Sequence, residues 1–252
     1  MVNVPIIYQD DSLLVVDKPP GLIVESAETV KEETLADISQ KQFGIKLFRG
    51  GIVHRLDKDT SGIILLAKTE SSLENLQSQF KGRITKKEYW ALVHGTITEP
   101  GRVEGDIDRN PKNREKFVVL EGGKEAVTDY EPIKQLTIDN GQLKSIFAGF
   151  NKIQMRKLNT IRYSLFTLVA CRPKTGRTHQ IRVHLKYINA PIVADEKYVG
   201  RKTFRLDKRW CPRMFLHAKK IGFYHPDSGE WMELESELPD DLEKALSFLS
   251  KK

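Results

Sequence analysis

Apolar and polar positions fall into blocks along the chain, and most blocks suggest one element each. IIYQDDSLLVVDKPPG (6–21) reads as two short strands around a turn at Gln9–Ser12, stopped by Pro19-Pro20-Gly21. TLADISQKQF (34–43) carries a helical period, with Thr34 as N-cap and Asp37 three residues on. GIVHRL (51–56) and GIILLA (62–67) read as two strands flanking a charged turn. SSLENLQSQFKG (71–82) reads as a helix with Leu73, Leu76 and Phe80 on one face, Ser71 and Glu74 as a capping box, and Gly82 as its stop. KEYWALVHGTI (87–97) is strand-like, and residues 101–126 are polar and turn-rich, suggesting an exposed hairpin or loop. VTDYEPIKQL (127–136) and RYSLFTLVACR (162–172) read as strands, whereas residues 138–160 show no period and read as a loop or insertion.

GRTHQIRVHLKYINA (176–190) suggests a turn running into a helix, with Thr178 as N-cap and Ile181, Leu185 and Ile188 on one face. MFLHAKKIGFYHP (214–226) and EWMELES (230–236) read as strands, and PDDLEKALSFL (239–249) as a closing helix. Strands outnumber helices and come in adjacent runs, which predicts an α+β fold with a mainly antiparallel sheet. No repeat or low-complexity linker divides the 252 residues, so residues 1–252 are expected to form a single domain.

Composition narrows the class. An apolar content of 39% with 30% charged residues fits a globular chain. No apolar run approaches the roughly 18 residues a membrane span needs, and the N-terminus lacks the layout of a secretory signal. Cys171 and Cys211 make no metal-ligand spacing and suit a reducing compartment; a cytoplasmic monomer is expected.

The net charge of +7 is unevenly spread. From Asn140 to Ala194 there is no Asp or Glu, but there are ten Lys and Arg. A second basic block runs from Lys197 to Lys220 with Asp207 as its only acid, and the C-terminal region turns acidic. Such asymmetry suggests a face that meets a polyanion, with nucleic acid favoured over a membrane surface.

The candidate chemistry lies in GIVHRLDKDTSG (51–62). Asp57 sits beside Arg55 and Lys58, and neighbouring cations favour the ionised carboxylate, which can act as base or nucleophile. A lone Asp in a turn is otherwise a backbone cap. Asp57 and Asp59 together could hold Mg²⁺, but no phosphate-binding glycine loop or further metal spacing accompanies them, and no metal site is expected. In GRTHQIRVH, Arg177 precedes a helix start and Arg182 lies within it, both suited to phosphate or to a partner carboxylate.

HRLDKDTSG resembles the signature motif of the RluA-type pseudouridine synthases. KPPGLIV (18–24), KEYWALVHG (87–95), GGKEAVTDY (122–130), GRTHQIRVH (176–184) and RMFLHAKKIGFYHP (213–226) match further blocks of that family in order, from about Ile6 to Leu246. The resemblance implies a single catalytic domain around a bent, mainly antiparallel sheet flanked by helices. It also implies isomerisation of uridine to pseudouridine in structured RNA, either tRNA or rRNA, by base flipping and without a cofactor. It assigns catalysis to Asp57, with Tyr89 stacking on the flipped uracil and helping to remove the C5 proton, and with Arg177 pairing with the aspartate. Arg55 is implied as the residue entering the vacated helix and Leu216 as a wall of the uracil pocket. His54, Thr178 and Arg182 are further candidates for substrate contact.

Many relatives carry a His where this chain has Glu25, and many begin with an S4-type RNA-binding domain. This chain is expected to begin on the catalytic core without a separate RNA-binding domain, so its basic segments, including Lys144, Lys152, Arg156 and Lys157, would dock the RNA. A non-catalytic RNA-binding module of the same fold is the alternative, and joint retention of Asp57, Tyr89 and Arg177 argues against it.

Overall fold

The computed structural model describes residues 2–25, 32–160 and 163–251. The chain divides into two compact units, Met1–Tyr89 with His217–Leu238, and Trp90–Leu216 with Pro239–Lys252. It passes from one to the other within two strands and again at Leu238–Pro239.

The first unit opens with β1 (Ile6–Gln9) and β2 (Leu13–Lys18), joined by a tight turn and paired antiparallel. Asp10 builds that turn, because its carboxylate accepts from the backbone N–H groups of Ser12 and Leu13. β3 (Ser61–Ala67) runs antiparallel to β2 in unbroken register from Leu13↔Ala67 to Lys18↔Gly62. Both strands are almost wholly buried, which explains their continuous rather than alternating apolar pattern.

α1 (Leu35–Gln42) and α2 (Glu70–Lys81) pack on this sheet through Leu35, Ile38, Leu73 and Leu76. The Thr34–Asp37 capping box forms as expected, with the Thr34 hydroxyl accepting from Asp37 N and the Asp37 carboxylate accepting from Thr34 N. At α2 the expectation is corrected. The N-cap is Thr69, whose hydroxyl accepts from Ser72 N, not Ser71. The run Thr69-Glu70-Ser71-Ser72 offers several cap residues, and the first to reach an orphan N–H starts the helix.

Chain from the far end completes the unit. β10 (Leu216–Tyr224) pairs parallel with β3 at His217↔Ser61 and Ala218↔Gly62, and β11 (Trp231–Glu235) pairs antiparallel with β10. A side chain at Gly62 would put its Cβ 2.3 Å from the Ala218 carbonyl oxygen, so the Ser61-Gly62 step admits only glycine there.

The expected strand over residues 51–56 does not form. Ile52 makes a single bridge to Leu66, and the chain then runs irregularly to Thr60. Arg49, Gly50 and Gly51 take left-handed conformations just before it, which breaks any extended run. Ile52 and Leu56 are nevertheless buried in the core, so their apolar character reflects packing rather than strand pairing.

In the second unit, β8 (Val127–Thr137) and β9 (Leu165–Pro173) form a long antiparallel pair. Its register slips between Pro132 and Lys134, where proline has no N–H to give the ladder. β5 (Gly101–Glu104) and β12 (Ser250–Lys251) also pair with β8. β6 (Ile107–Asn110) and β7 (Asn113–Val119) form the hairpin expected within 101–126. β4 (Lys86–His94) contributes its Trp90–His94 half to this unit.

Residues 138–160 are helical, which corrects the reading of that stretch as a loop. They hold α3 (Asn140–Ile146) and α4 (Lys152–Thr160). Each is short and anchored by few buried side chains, among them Leu143, Phe147 and Leu158, so no period could register. Arg209 holds this pair in place, with its guanidinium 5.5 Å from the Phe147 ring centre and 4.8 Å from that of Phe150.

α5 (Gln180–Tyr187) begins after His179, which sits left-handed at φ 56° and makes no side-chain cap, so Thr178 is not the N-cap expected. α6 (Arg201–Asp207) ends on Asp207, which is fully buried and accepts from the Tyr163 hydroxyl at 2.7 Å and from Ala194 N at 2.8 Å. His94 Nε2 lies 3.0 Å from the same carboxylate. α7 (Asp240–Ser247) completes the unit.

Candidate active site

Asp57 stands at the start of a turn that links the irregular segment to β3, and Thr60 N donates to its carbonyl at 3.1 Å. The carboxylate is half-buried, while Arg55, Lys58 and Asp59 are exposed. The turn is fastened from below by Lys18, the last residue of β2, which is fully buried. Its ammonium donates to the carbonyls of Pro19 (2.8 Å), Leu22 (2.9 Å) and Lys58 (3.0 Å), and Gly21 N donates to the Lys58 carbonyl as well. The KPPG block and the residue following Asp57 are thereby held on one cation. Lys18 was not singled out from sequence; the signal was a lysine closing an otherwise apolar, buried strand.

Tyr89 enters from β4, half-buried against the core of the first unit. Burial, and then the negative charge of Asp57, hold its phenol well above the usual tyrosine range. The structure thus brings Asp57 and Tyr89 together, and the phenol keeps its proton at neutral pH. A neutral phenol offers a stacking face and a hydrogen-bond donor, but it is a poor base.

His54 faces inward. Its Nε2 accepts from Leu65 N at 3.2 Å, and its ring stacks on Phe80 at 4.6 Å between centres. Burial, with Lys87 as a secondary cause, pushes its pKa down to about 3. Lys87, two residues before Tyr89, is itself pushed down to about 8 by burial and lies 5.8 Å from the Phe80 ring centre. Nothing in the sequence marks Lys87, because a lysine in KKEYW looks like an ordinary surface residue. Glu25 places a carboxylate oxygen 3.4 Å from Arg49.

Arg177, Thr178 and Arg182 belong to the second unit. The Arg177 turn is clamped by the buried amide of Gln180. Its Oε1 accepts from Arg177 N (3.0 Å) and from the Thr175 hydroxyl (2.7 Å), and its Nε2 donates to Val127 O (2.9 Å). The Arg177 Nε donates to the Glu125 carbonyl at 2.9 Å. Thr178 is exposed. Arg182 is buried and grips Asp195 through two parallel bonds, Nε to Oδ2 at 2.8 Å and Nη2 to Oδ1 at 2.9 Å. Its guanidinium also covers the Tyr198 ring at 5.1 Å. The same ring's hydroxyl accepts from Phe117 N and lies 2.8 Å from His179 Nδ1, so the hairpin and the Arg177 turn share one support. Leu216 is buried at the head of β10, next to His217, whose Nδ1 is 3.0 Å from the Ser61 hydroxyl. No helix among the described residues is long and apolar enough to cross a membrane.

Comparison with known proteins gives the family. Residues 12–187 match the family model described as RNA pseudouridylate synthase. The chain is 35% identical to the protein named Uncharacterized RNA pseudouridine synthase YlyB of Bacillus subtilis, covering 99% of this chain and 74% of that one. It is 34% identical to the Ribosomal large subunit pseudouridine synthase D of Xanthomonas campestris pv. campestris, covering 97% of this chain and 69% of that one. Among solved structures, the human RNA pseudouridylate synthase domain containing 1 superposes with a TM-score of 0.73 at 25% identity, over 99% of this chain and 89% of that one. The family model over residues 12–187 and relatives matched over 97–99% of the chain show that it belongs to the RNA pseudouridylate synthase family, the isomerases that convert uridine to pseudouridine within RNA.

Proposed function

We propose that Asp57 is the group that acts on the ribose of a uridine flipped out of structured RNA, in a tRNA or an rRNA. The observation that carries this is the half-buried Asp57 in a turn fastened by the buried Lys18; the Asp57 charge is, after burial, the second cause of the raised Tyr89 pKa. The glycosidic bond from N1 to C1′ breaks, the uracil turns, and C5 bonds to C1′. The C5 hydrogen passes to water and N1 takes a proton from water, so the change is redox-neutral. Tyr89 stacks on the displaced base and keeps its own proton, a role its raised pKa supports better than proton removal from C5. Base–aromatic stacking of about 1–3 kcal/mol offsets part of the few kcal/mol that extrusion costs. The exposed Arg55 enters the space the base leaves, and Arg177 is the third residue we assign to the reaction.

The RNA backbone docks on the basic surface of the second unit. Lys144, Lys152 and Arg156 are exposed on α3 and α4, and Arg201, Lys202 and Arg205 on α6. The one acid of the α6 segment, Asp207, is buried and turned to Tyr163, so it takes no charge from that face. Cys171 and Cys211 are both buried, and a reducing cytoplasm suits such thiols.

The test is release of tritium to water from RNA labelled at uracil C5. Wild-type protein releases label, and Asp57→Asn releases none while still binding the RNA. Turnover by Asp57→Asn at the wild-type rate would refute the assignment.

A further inference from the structure

The turn that delivers the chain to Asp57 carries an aromatic ring out into solvent. Phe48 is 74% exposed, more than any other large apolar side chain among the described residues. It is not a loose loop tip. Arg49, Gly50 and Gly51 follow it at φ 53°, 63° and 73°, three left-handed residues in succession. A Cβ at Gly50 would stand 2.2 Å from Ser39 Oγ and 2.6 Å from the Ala36 carbonyl, and one at Gly51 would stand 2.0 Å from the Ala67 carbonyl. The turn is therefore pressed against α1 and β3. The Ser39 hydroxyl donates to Gly50 O at 2.6 Å, and Gly50 N donates to Leu47 O at 2.9 Å. A left-handed Arg49 costs conformational energy that a plain connection would avoid.

The ring also has a cation on it. The Arg49 guanidinium lies 5.2 Å from the Phe48 ring centre, and Glu25 holds the same arginine 3.4 Å away on another side. The carboxylate at position 25 thus has a partner. A rigidly mounted, solvent-exposed aromatic with a guanidinium fixed beside it suits the flat face of a nucleobase and the phosphate next to it. A protein partner would call for a wider apolar patch, whereas Phe48 is flanked by the exposed cations Lys46 and Arg49.

We propose that Phe48 and Arg49 form a stacking platform for an unpaired base of the RNA, a contact separate from the flipped uridine. The proposal rests on the reading of the chain as an RNA-modifying enzyme and adds a substrate feature to it, a single-stranded nucleotide near the target. Glu25 acts as a positioning residue for Arg49.

The test compares binding of dodecauridylate with binding of a fully paired RNA duplex of the same length at one salt concentration. Phe48→Ala should weaken dodecauridylate binding roughly tenfold to a hundredfold and leave duplex binding within about twofold. Phe48→Trp should restore single-strand affinity, with extra tryptophan emission that is quenched as RNA is added. Glu25→Gln should reduce the preference for single strand over duplex in the same sense. Wild-type affinity in Phe48→Leu, which keeps the apolar bulk but has no aromatic face, would overturn the proposal, as would equal losses for both RNAs in Phe48→Ala. Binding to dodecauridylate needs no turnover, so failure here is distinct from failure of tritium release by the wild-type protein.

Discussion

Replacing Lys18 with methionine tests how the Asp57 turn is held. Methionine keeps most of the side-chain length, so little cavity is left, and the perturbation is mainly electrostatic. Three carbonyls lose a charged donor. Lys58 O retains the bond from Gly21 N, which leaves Pro19 O and Leu22 O to bear most of the cost. A buried acceptor stripped of its partner costs about 1–3 kcal/mol, so two cost about 2–6 kcal/mol, less what is regained by no longer burying an ammonium. We expect a net loss of about 1–4 kcal/mol, a large share of the 5–15 kcal/mol that domains typically have. The midpoint of urea unfolding should fall accordingly. Tritium release should fall further than the folded fraction alone explains, because Lys58 O is one residue from Asp57. A Lys18→Met protein within about 0.5 kcal/mol of wild type, the range of ordinary surface substitutions, with full activity would refute the account of Lys18 as the fastening of this turn.

Two further outcomes follow from the same geometry. Arg177→Ala should lose far more single-turnover rate than RNA affinity, and binding by wild type and variant alike should weaken steeply with salt; a loss confined to binding would make Arg177 a phosphate contact only. His54 titrates near 6.5 when unfolded and at about 3 when folded, so the unfolded chain binds the extra proton between those values. Its contribution to stability is fully present above pH 6.5 and is lost as pH falls toward 3, at up to about 1.4 kcal/mol per pH unit. Urea midpoints at pH 7, 5.5 and 4.5 should fall more steeply for wild type than for His54→Gln, and parallel lines would contradict the burial argument.

Much of the fold was legible where local chemistry decides it. The α1 capping box needs only Thr34 and Asp37, and the buried pair β2–β3 announces itself as unbroken runs of Leu, Ile and Val. The reading failed where distant chain decides. Residues 51–56 look like a strand, yet beside the left-handed Arg49-Gly50-Gly51 turn, fixed by α1 and β3, their pairing stops at one bridge, Ile52 to Leu66. Thr178 looks like a cap, but Gln180 organises that turn through Thr175 and Val127 instead. Arg182 reads equally well as a phosphate ligand or an ion-pair partner, and only folding brings Asp195 to it, thirteen residues on. Asp57 was legible because its motif is local. The lysine beneath it was not, because its link to that turn, the Lys58 carbonyl, lies 40 residues along the chain.

The parallel pairing of β3 with β10 has a consequence for biosynthesis. Ser61 and Gly62 find their parallel partners in His217 and Ala218, 156 residues later in the chain. At ribosomal speeds of about 5–20 residues per second, roughly ten to thirty seconds pass between emergence of the Asp57 segment and arrival of the strand that seats it. During that interval the nascent chain already displays cationic segments to the ribosomal RNA around it, but it lacks a finished Asp57 turn. The Asp57 turn therefore stays unfinished until β10 has been made.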